Sequence, residues 1–245
     1  LLHLENGKIL IYQNMGDFIF ANCNYELGIS MTDVFTFVKA IDVNNDGYSD
    51  LICQTGFQQN NNLLLLINQS GKTFKRDLLV KNADLKIKTA DIADLNNDGK
   101  MDLFLTFTGV SINGIFYNNL IFWNTGAGYA LNERYSQLDI LGDINTVAVG
   151  DYNLDGLMDI FVCCANKQNT LWKNTGLGFE QVGFNAEPDI ASAEAQVFQT
   201  FFANYNNDSD NDLFVVYDNR IILFENNLNS FKGLKTQTLK QPNSF

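Results

Sequence analysis

One nine-residue pattern, met four times at nearly constant spacing, constrains this chain more than any other feature. It reads Asp-Val-Asn-Asn-Asp-Gly-Tyr-Ser-Asp at 42–50, Asp-Leu-Asn-Asn-Asp-Gly-Lys-Met-Asp at 94–102 and Asp-Tyr-Asn-Leu-Asp-Gly-Leu-Met-Asp at 151–159. An altered copy, Asn-Tyr-Asn-Asn-Asp-Ser-Asp-Asn-Asp, occupies 204–212. The copies start 52, 57 and 53 residues apart, and 12 of the 21 aspartates lie inside them. A merely acidic surface would scatter those carboxylates; clustering at fixed spacing points to cation sites.

The repetition extends beyond the loops. An apolar run precedes each copy, at 35–41, 87–92, 146–149 and 197–202, and the residues directly after each copy form another. A further apolar run follows at 63–67, 120–123, 171–172 and 221–224, then a turn and a short segment opened by Phe74, Tyr129, Phe179 or Phe231. Runs of Val, Ile, Leu and Phe bounded by Asn, Gly and Ser read as strands. Four strands in about fifty residues, repeated in series, is the pattern of propeller blades. A β-sandwich also strings short strands together, but it does not require the same loop at every second hairpin. The expectation is an all-β, β-propeller chain of four-stranded antiparallel blades. It has four full repeats, at about 34–80, 86–137, 143–184 and 196–240, and a partial N-terminal blade over 1–30. The whole of 1–245 reads as one propeller domain or a fragment of one, with weak strand pattern from 234 onward.

Composition agrees with short strands and tight turns. Hydrophobic residues are 46% and charged residues 18%, which excludes a disordered chain, and only two prolines occur. The net charge of −12 argues against nucleic acid and anionic membranes as partners. Cys23, Cys53, Cys163 and Cys164 form no C-x-x-C pair and read as buried free thiols, the adjacent two pointing to opposite faces of a strand. No stretch is apolar and long enough for a membrane-spanning helix. The chain opens on Leu1 with no signal peptide, and so reads as processed or partial.

Calcium takes six to eight oxygens in flexible geometry. The nine-residue loop offers side-chain oxygens at positions 1, 3 and 5, a carbonyl at 7 and a carboxylate at 9, with glycine at 6 for the sharp turn. The first candidate site is Asp42, Asn44, Asp46, the Tyr48 carbonyl and Asp50. The second is Asp94, Asn96, Asp98, the Lys100 carbonyl and Asp102; the third is Asp151, Asn153, Asp155, the Leu157 carbonyl and Asp159. The fourth, Asn204, Asn206, Asp208, Asp210 and Asp212, loses one carboxylate and the turn glycine and should be weaker. EF-hands begin alike but need a glutamate at position 12 and flanking helices. Here position 12 is Cys53, Leu105, Val162 or Val215, so that reading fails.

These loops, with the Asp-Leu/Ile-Phe-Val/Leu strand behind them, resemble FG-GAP/VCBS repeats such as those of integrin α-subunit propellers. The run at 169–179 is similar to the second hairpin of VCBS units, and 201–202 with 212–216 resembles T-cell immunomodulatory-type FG-GAP proteins more weakly. The Phe-Gly and Gly-Ala-Pro segments that name the family are not clearly present, which sets the chain apart from a true integrin. The resemblance implies a seven-bladed propeller of roughly 380 residues at this period, of which this chain would be part. It also implies calcium in loops on one face, and a secreted protein, cell-surface ectodomain or secretory-lumen location.

The functional expectation is a non-catalytic, calcium-binding adhesion or protein-recognition module with a protein partner, anchored to a membrane, if at all, through segments outside this chain. Sequons at Asn68-Gln-Ser70 and Asn207-Asp-Ser209 permit glycosylation. The alternative is a structural subunit whose missing blade strands come from a partner. A propeller hydrolase or lyase ranks last, because His3 is the only histidine and the paired carboxylates are better explained as ligands.

Overall fold

The computed structural model describes residues 2–24, 27–29, 33–56, 61–81, 86–112, 115–131, 138, 140, 143–165, 168–182, 197–217, 220–227 and 231–238. These residues form nineteen strands and no helix, arranged as five antiparallel sheets in chain order. The first holds β1 (Leu2–Glu5), β2 (Lys8–Asn14) and β3 (Phe20–Asn22). The second holds β4 (Phe35–Ile41), β5 (Asp50–Thr55), β6 (Leu63–Asn68) and β7 (Phe74–Val80). The third holds β8 (Lys86–Ala93), β9 (Asp102–Ile112), β10 (Ile115–Asn124) and β11 (Tyr129–Leu131). The fourth holds β12 (Ile144–Gly150), β13 (Asp159–Cys164), β14 (Thr170–Asn174) and β15 (Phe179–Val182). The fifth holds β16 (Val197–Ala203), β17 (Asp212–Tyr217), β18 (Arg220–Asn226) and β19 (Phe231–Thr238). Five sheets are thus present among the described residues, where the resemblance implied seven for a whole propeller.

Each four-stranded sheet is a simple meander, and each acidic loop joins its first strand to its second. The backbone repeats even in its irregularities. The pairing of first and second strand slips between Phe35 and Phe37, between Ile144 and Thr146, and between Val197 and Gln199. Each slip lies at the same distance from the loop, so the bulge belongs to the repeat.

The chain divides into two compact units, 1–90 and 91–245. In the first unit, Ile9 of one sheet packs with Phe35, Leu51, Cys53, Leu64 and Leu66 of the next. In the second unit the fourth sheet is covered on both sides. Ile160, Val162 and Cys164 point into a core shared with Phe104 and Ile121, while Phe161 and Cys163 point into a core shared with Leu213, Val215 and Phe224. This is the strict two-residue alternation of a strand buried on both faces. Each fully buried Phe or Ile there contributes about 1.5–3 kcal/mol. The adjacent thiols do face opposite ways, and none of the four cysteines is in a disulfide.

Two elements run longer than the sequence suggested. Strand β19 extends to Thr238, into the segment with weak strand pattern, and β9 and β10 form one long hairpin. Residues 102–124 are rich in Thr, Val, Ile and Phe, which favours long strands.

Candidate metal centres

The three intact loops share the same set of backbone-to-side-chain hydrogen bonds. Position 1 accepts two backbone N–H groups: Asp42 takes those of Asp46 (3.1 Å) and Gly47 (2.9 Å), Asp94 those of Asp98 (2.9 Å) and Gly99 (2.7 Å), and Asp151 those of Asp155 (3.2 Å) and Gly156 (2.8 Å). Position 3 converges on the same N–H of position 5, from Asn44 at 3.1 Å, Asn96 at 3.1 Å and Asn153 at 2.9 Å. Position 5 in turn accepts the N–H of position 7, from Tyr48, Lys100 and Leu157. Oxygens of positions 1 and 3 therefore crowd around one point in every intact loop.

The turn requires two left-handed residues. Position 6 is Gly47, Gly99 or Gly156, with φ of 84°, 81° and 84°. Position 4 is Asn45, Asn97 or Leu154, with φ of 57°, 57° and 59°. Asn tolerates this conformation through its short polar side chain; leucine does so only with strain.

Position 9 behaves differently from the rest. Asp50, Asp102, Asp159 and Asp212 are fully buried, with both carboxylate oxygens engaged. One oxygen accepts the N–H of loop position 2, from Val43, Leu95, Tyr152 or Tyr205, at 2.7–3.1 Å. The other accepts the N–H of the asparagine ending the third strand, Asn68, Asn124, Asn174 or Asn226, at 2.7–2.9 Å. Burial raises Asp50, pushes Asp102 up to about 6 and Asp159 up to about 7. The N–H donors oppose this shift, and the carboxylates at positions 5 and 1 add repulsion.

Those third-strand asparagines are the functional residues that sequence reasoning missed. Asn174 donates from Nδ2 to Met158 O (3.1 Å) and, across the sheets, to Leu95 O (2.7 Å), and its Oδ1 accepts the Gly176 N–H (2.9 Å). Asn226 likewise reaches Asn211 O (3.2 Å) and Tyr152 O (2.6 Å) of the preceding loop. Asn211 adds a bond to Asp151 O (2.9 Å). Each asparagine clamps its own loop, and Asn174 and Asn226 also hold the loop before it. The signal was present as an Asn closing every second apolar run. Asn68 belongs to this set and donates to Ser49 O (3.0 Å), so the first sequon falls on a clamp residue.

The fourth loop departs where its sequence does. Asn204 accepts the N–H of Asn207, one residue earlier than in the intact loops, and Ser209 sits at φ 100° in place of glycine. Asn206 and Asp208 still accept the N–H groups of Asp208 and Asp210. Cationic side chains have entered two other loops: Lys100 Nζ lies 2.9 Å from Asp98, and Lys173 Nζ lies 3.3 Å from Asp155. These pairs hold Asp98 below the usual carboxylate range and Lys173 above the usual ammonium range. Among the described residues, no three Asp, Glu, His or Cys side chains form a group that could by themselves hold a metal ion. The oxygen set of these loops draws equally on asparagine amides and backbone carbonyls.

Beside the second loop, in the second unit, lies a cavity of about 510 Å³ lined by Leu95, Asn96, Trp123, Leu131, Leu177 and Phe179, among others.

Serial antiparallel sheets, four of them opening their second strand from an acidic loop, define a β-propeller protein. Residues 42–105 and 94–162 match the FG-GAP-like repeat model in two overlapping copies, and the chain is an FG-GAP repeat β-propeller. No curated protein matches it. Among solved structures it is similar to an Agrocybe aegerita lectin described for specific recognition of non-reducing terminal N-acetylglucosamine. That match has a TM-score of 0.61 at 19% identity and covers 96% of this chain and 62% of the lectin. It is also similar to BBS1N, solved in complex with ARL6DN, with a TM-score of 0.55 at 10% identity, covering 98% of this chain and 65% of that one. The chain spans less than two thirds of either structure.

Proposed function

We propose that this chain is a non-catalytic recognition module whose loops are stiffened by calcium, working outside the cell or in the secretory lumen on a protein partner. The observation that carries the reading is the identical convergence of position 1 and position 3 oxygens in three loops, beside carboxylates close enough to repel one another. The loops have also drawn in lysine ammonium groups as stand-in cations, at Asp98 and Asp155. An oxygen-only donor set with net negative charge fits a hard divalent ion such as calcium. Positions 1, 3 and 5 and the carbonyl of 7 would hold it. The buried position 9 carboxylate, already accepting two N–H bonds, would complete the charge from beneath. Calcium supplies cross-linking of the loop and neutralisation; the sheets supply a rigid frame on which exposed loops recognise a partner. The cavity between Trp123 and Phe179 adds a concave apolar surface of the kind that binds ligands.

The test is a thermal melt of the purified chain with millimolar calcium and with chelator. A rise of several degrees with calcium supports the reading; coincident melts in both conditions overturn it.

A second reading, a subunit of a larger assembly or a longer propeller of seven blades, is favoured by the outer face of the fifth sheet. Phe201, Tyr205, Phe214 and Val216 stand at the register positions that Ala148, Tyr152, Phe161 and Cys163 occupy in the fourth. The latter four are buried by the next sheet, whereas Phe201 is 39% and Tyr205 50% exposed. Light scattering discriminates: a stable oligomer or complex supports this reading, and a strictly monomeric particle opposes it.

A further inference from the structure

Within the proposed calcium reading, on which this rests, the four loops are unequal for a reason outside the nine-residue pattern. We infer that the residue immediately before each clamp asparagine sets the cation preference of the adjoining loop. Glu225 restores to the fourth loop the carboxylate that Asn204 lacks, and Lys173 lodges a competing positive charge in the third.

The placement follows from register. Asp159 holds the Asn174 N–H at 2.8 Å and Asp212 holds the Asn226 N–H at 2.9 Å, so Lys173 and Glu225 occupy the same station beside their loops. Both side chains reach across to it. Lys173 Nζ meets Asp155, the position 5 carboxylate, at 3.3 Å, and Glu225 Oε1 accepts from Asn206 Nδ2, at position 3, at 3.0 Å. The corresponding residues of the second and third sheets are Ile67 and Trp123, which carry no charge.

The physical consequence is a change in local charge of opposite sign in two loops. A divalent ion entering the third loop must displace or tolerate an ammonium already bound to one of its ligands. In the fourth loop, Asp208, Asp210 and Asp212 are joined by Glu225, so that loop is at least as acidic as the intact ones despite its asparagine at position 1. Because the Asp155–Lys173 pair is partly exposed, its charge effect is screened and moderate. One unit charge about 5 Å from a divalent ion changes affinity by about threefold to tenfold under such screening.

The experiment is calcium titration calorimetry on the full chain, wild type against Lys173→Met and Glu225→Gln, with melts of all three in chelator. Glutamine keeps an oxygen for the Asn206 amide while removing the charge. Lys173→Met is expected to tighten one class of sites about threefold to tenfold. Glu225→Gln is expected to remove one calcium equivalent, or weaken it at least about tenfold, with an unchanged melt in chelator. If the wild type takes up calcium but both variants give its isotherm, the inference falls and the calcium reading stands. A Glu225→Gln chain that is equally destabilised in chelator and in calcium makes Glu225 structural, which also overturns the inference. A wild type that takes up no calcium overturns the underlying reading and the inference with it.

Discussion

Replacing Asn174 tests the clamp directly. Its side chain is buried, at 2% exposure, and makes three hydrogen bonds, two donated to Leu95 O and Met158 O and one accepted from Gly176 N–H. Alanine removes all three and leaves the buried Leu95 carbonyl without this donor. At about 0.5–1.5 kcal/mol per bond, with the upper range for stranded groups, Asn174→Ala should cost about 2–4 kcal/mol. For a chain of this size that is a fall in melting temperature of roughly 5–15 °C. Asn174→Asp should cost more. It keeps an acceptor for Gly176 but turns a carboxylate oxygen toward two carbonyls and buries its charge. Asn124, half-buried, donates to Met101 O at 3.2 Å and accepts from Gly126, and makes a milder alanine variant. Calorimetric melts should rank Asn174→Asp as the most damaging, Asn174→Ala next and Asn124→Ala as the mildest. The reasoning is wrong if Asn174→Asp is the mildest or if Asn174→Ala costs less than about 0.5 kcal/mol.

Leu154→Asn should stabilise the chain by about 0.5–1.5 kcal/mol, since it relieves an exposed leucine at φ 59°; urea titration reads the change. Gly150→Ala should destabilise by about 1–3 kcal/mol, because a Cβ there would lie 2.8 Å from Phe202 Cδ2 and 3.0 Å from its Cβ. Combining it with Phe202→Ala should recover part of the loss. In chelator, stability should fall as pH rises. Asp102 and Asp159 have folded-state values near 6 and 7 against about 3.9 unfolded. Their contribution is complete below about pH 4 and is lost as pH climbs through 6 and 7. Melts at pH 5 and pH 8 check this; a higher melt at pH 8 refutes the sign.

The repeated architecture was legible because repetition shows in sequence at two scales at once. The acidic nonapeptide marks each repeat, and apolar runs such as Ile160-Phe161-Val162-Cys163 mark the strands. The loop turn was legible too, from glycine at position 6. Less visible was the direction taken by position 9. The pattern offers Asp159 as one ligand among equals, yet the apolar strand it opens pulls the carboxylate inward, where backbone N–H groups satisfy it. The clamp asparagines escaped notice because an Asn between a strand and a Gly reads first as turn chemistry. Its inter-sheet bonds span 79 residues for Asn174 and 74 for Asn226, which no local pattern encodes. Lys173 and Glu225 were hidden likewise, since their partners are fixed by sheet register.

The bond from Asn226 to Tyr152 O gives the chain a mechanical direction. The second and third loops are each latched by the sheet that comes after, so the latch for the third loop is synthesised 74 residues later than the loop itself. During synthesis the second and third loops therefore wait, half-secured, for their successors. A lesion in β18 at Asn226 would first be felt at Tyr152, one repeat upstream.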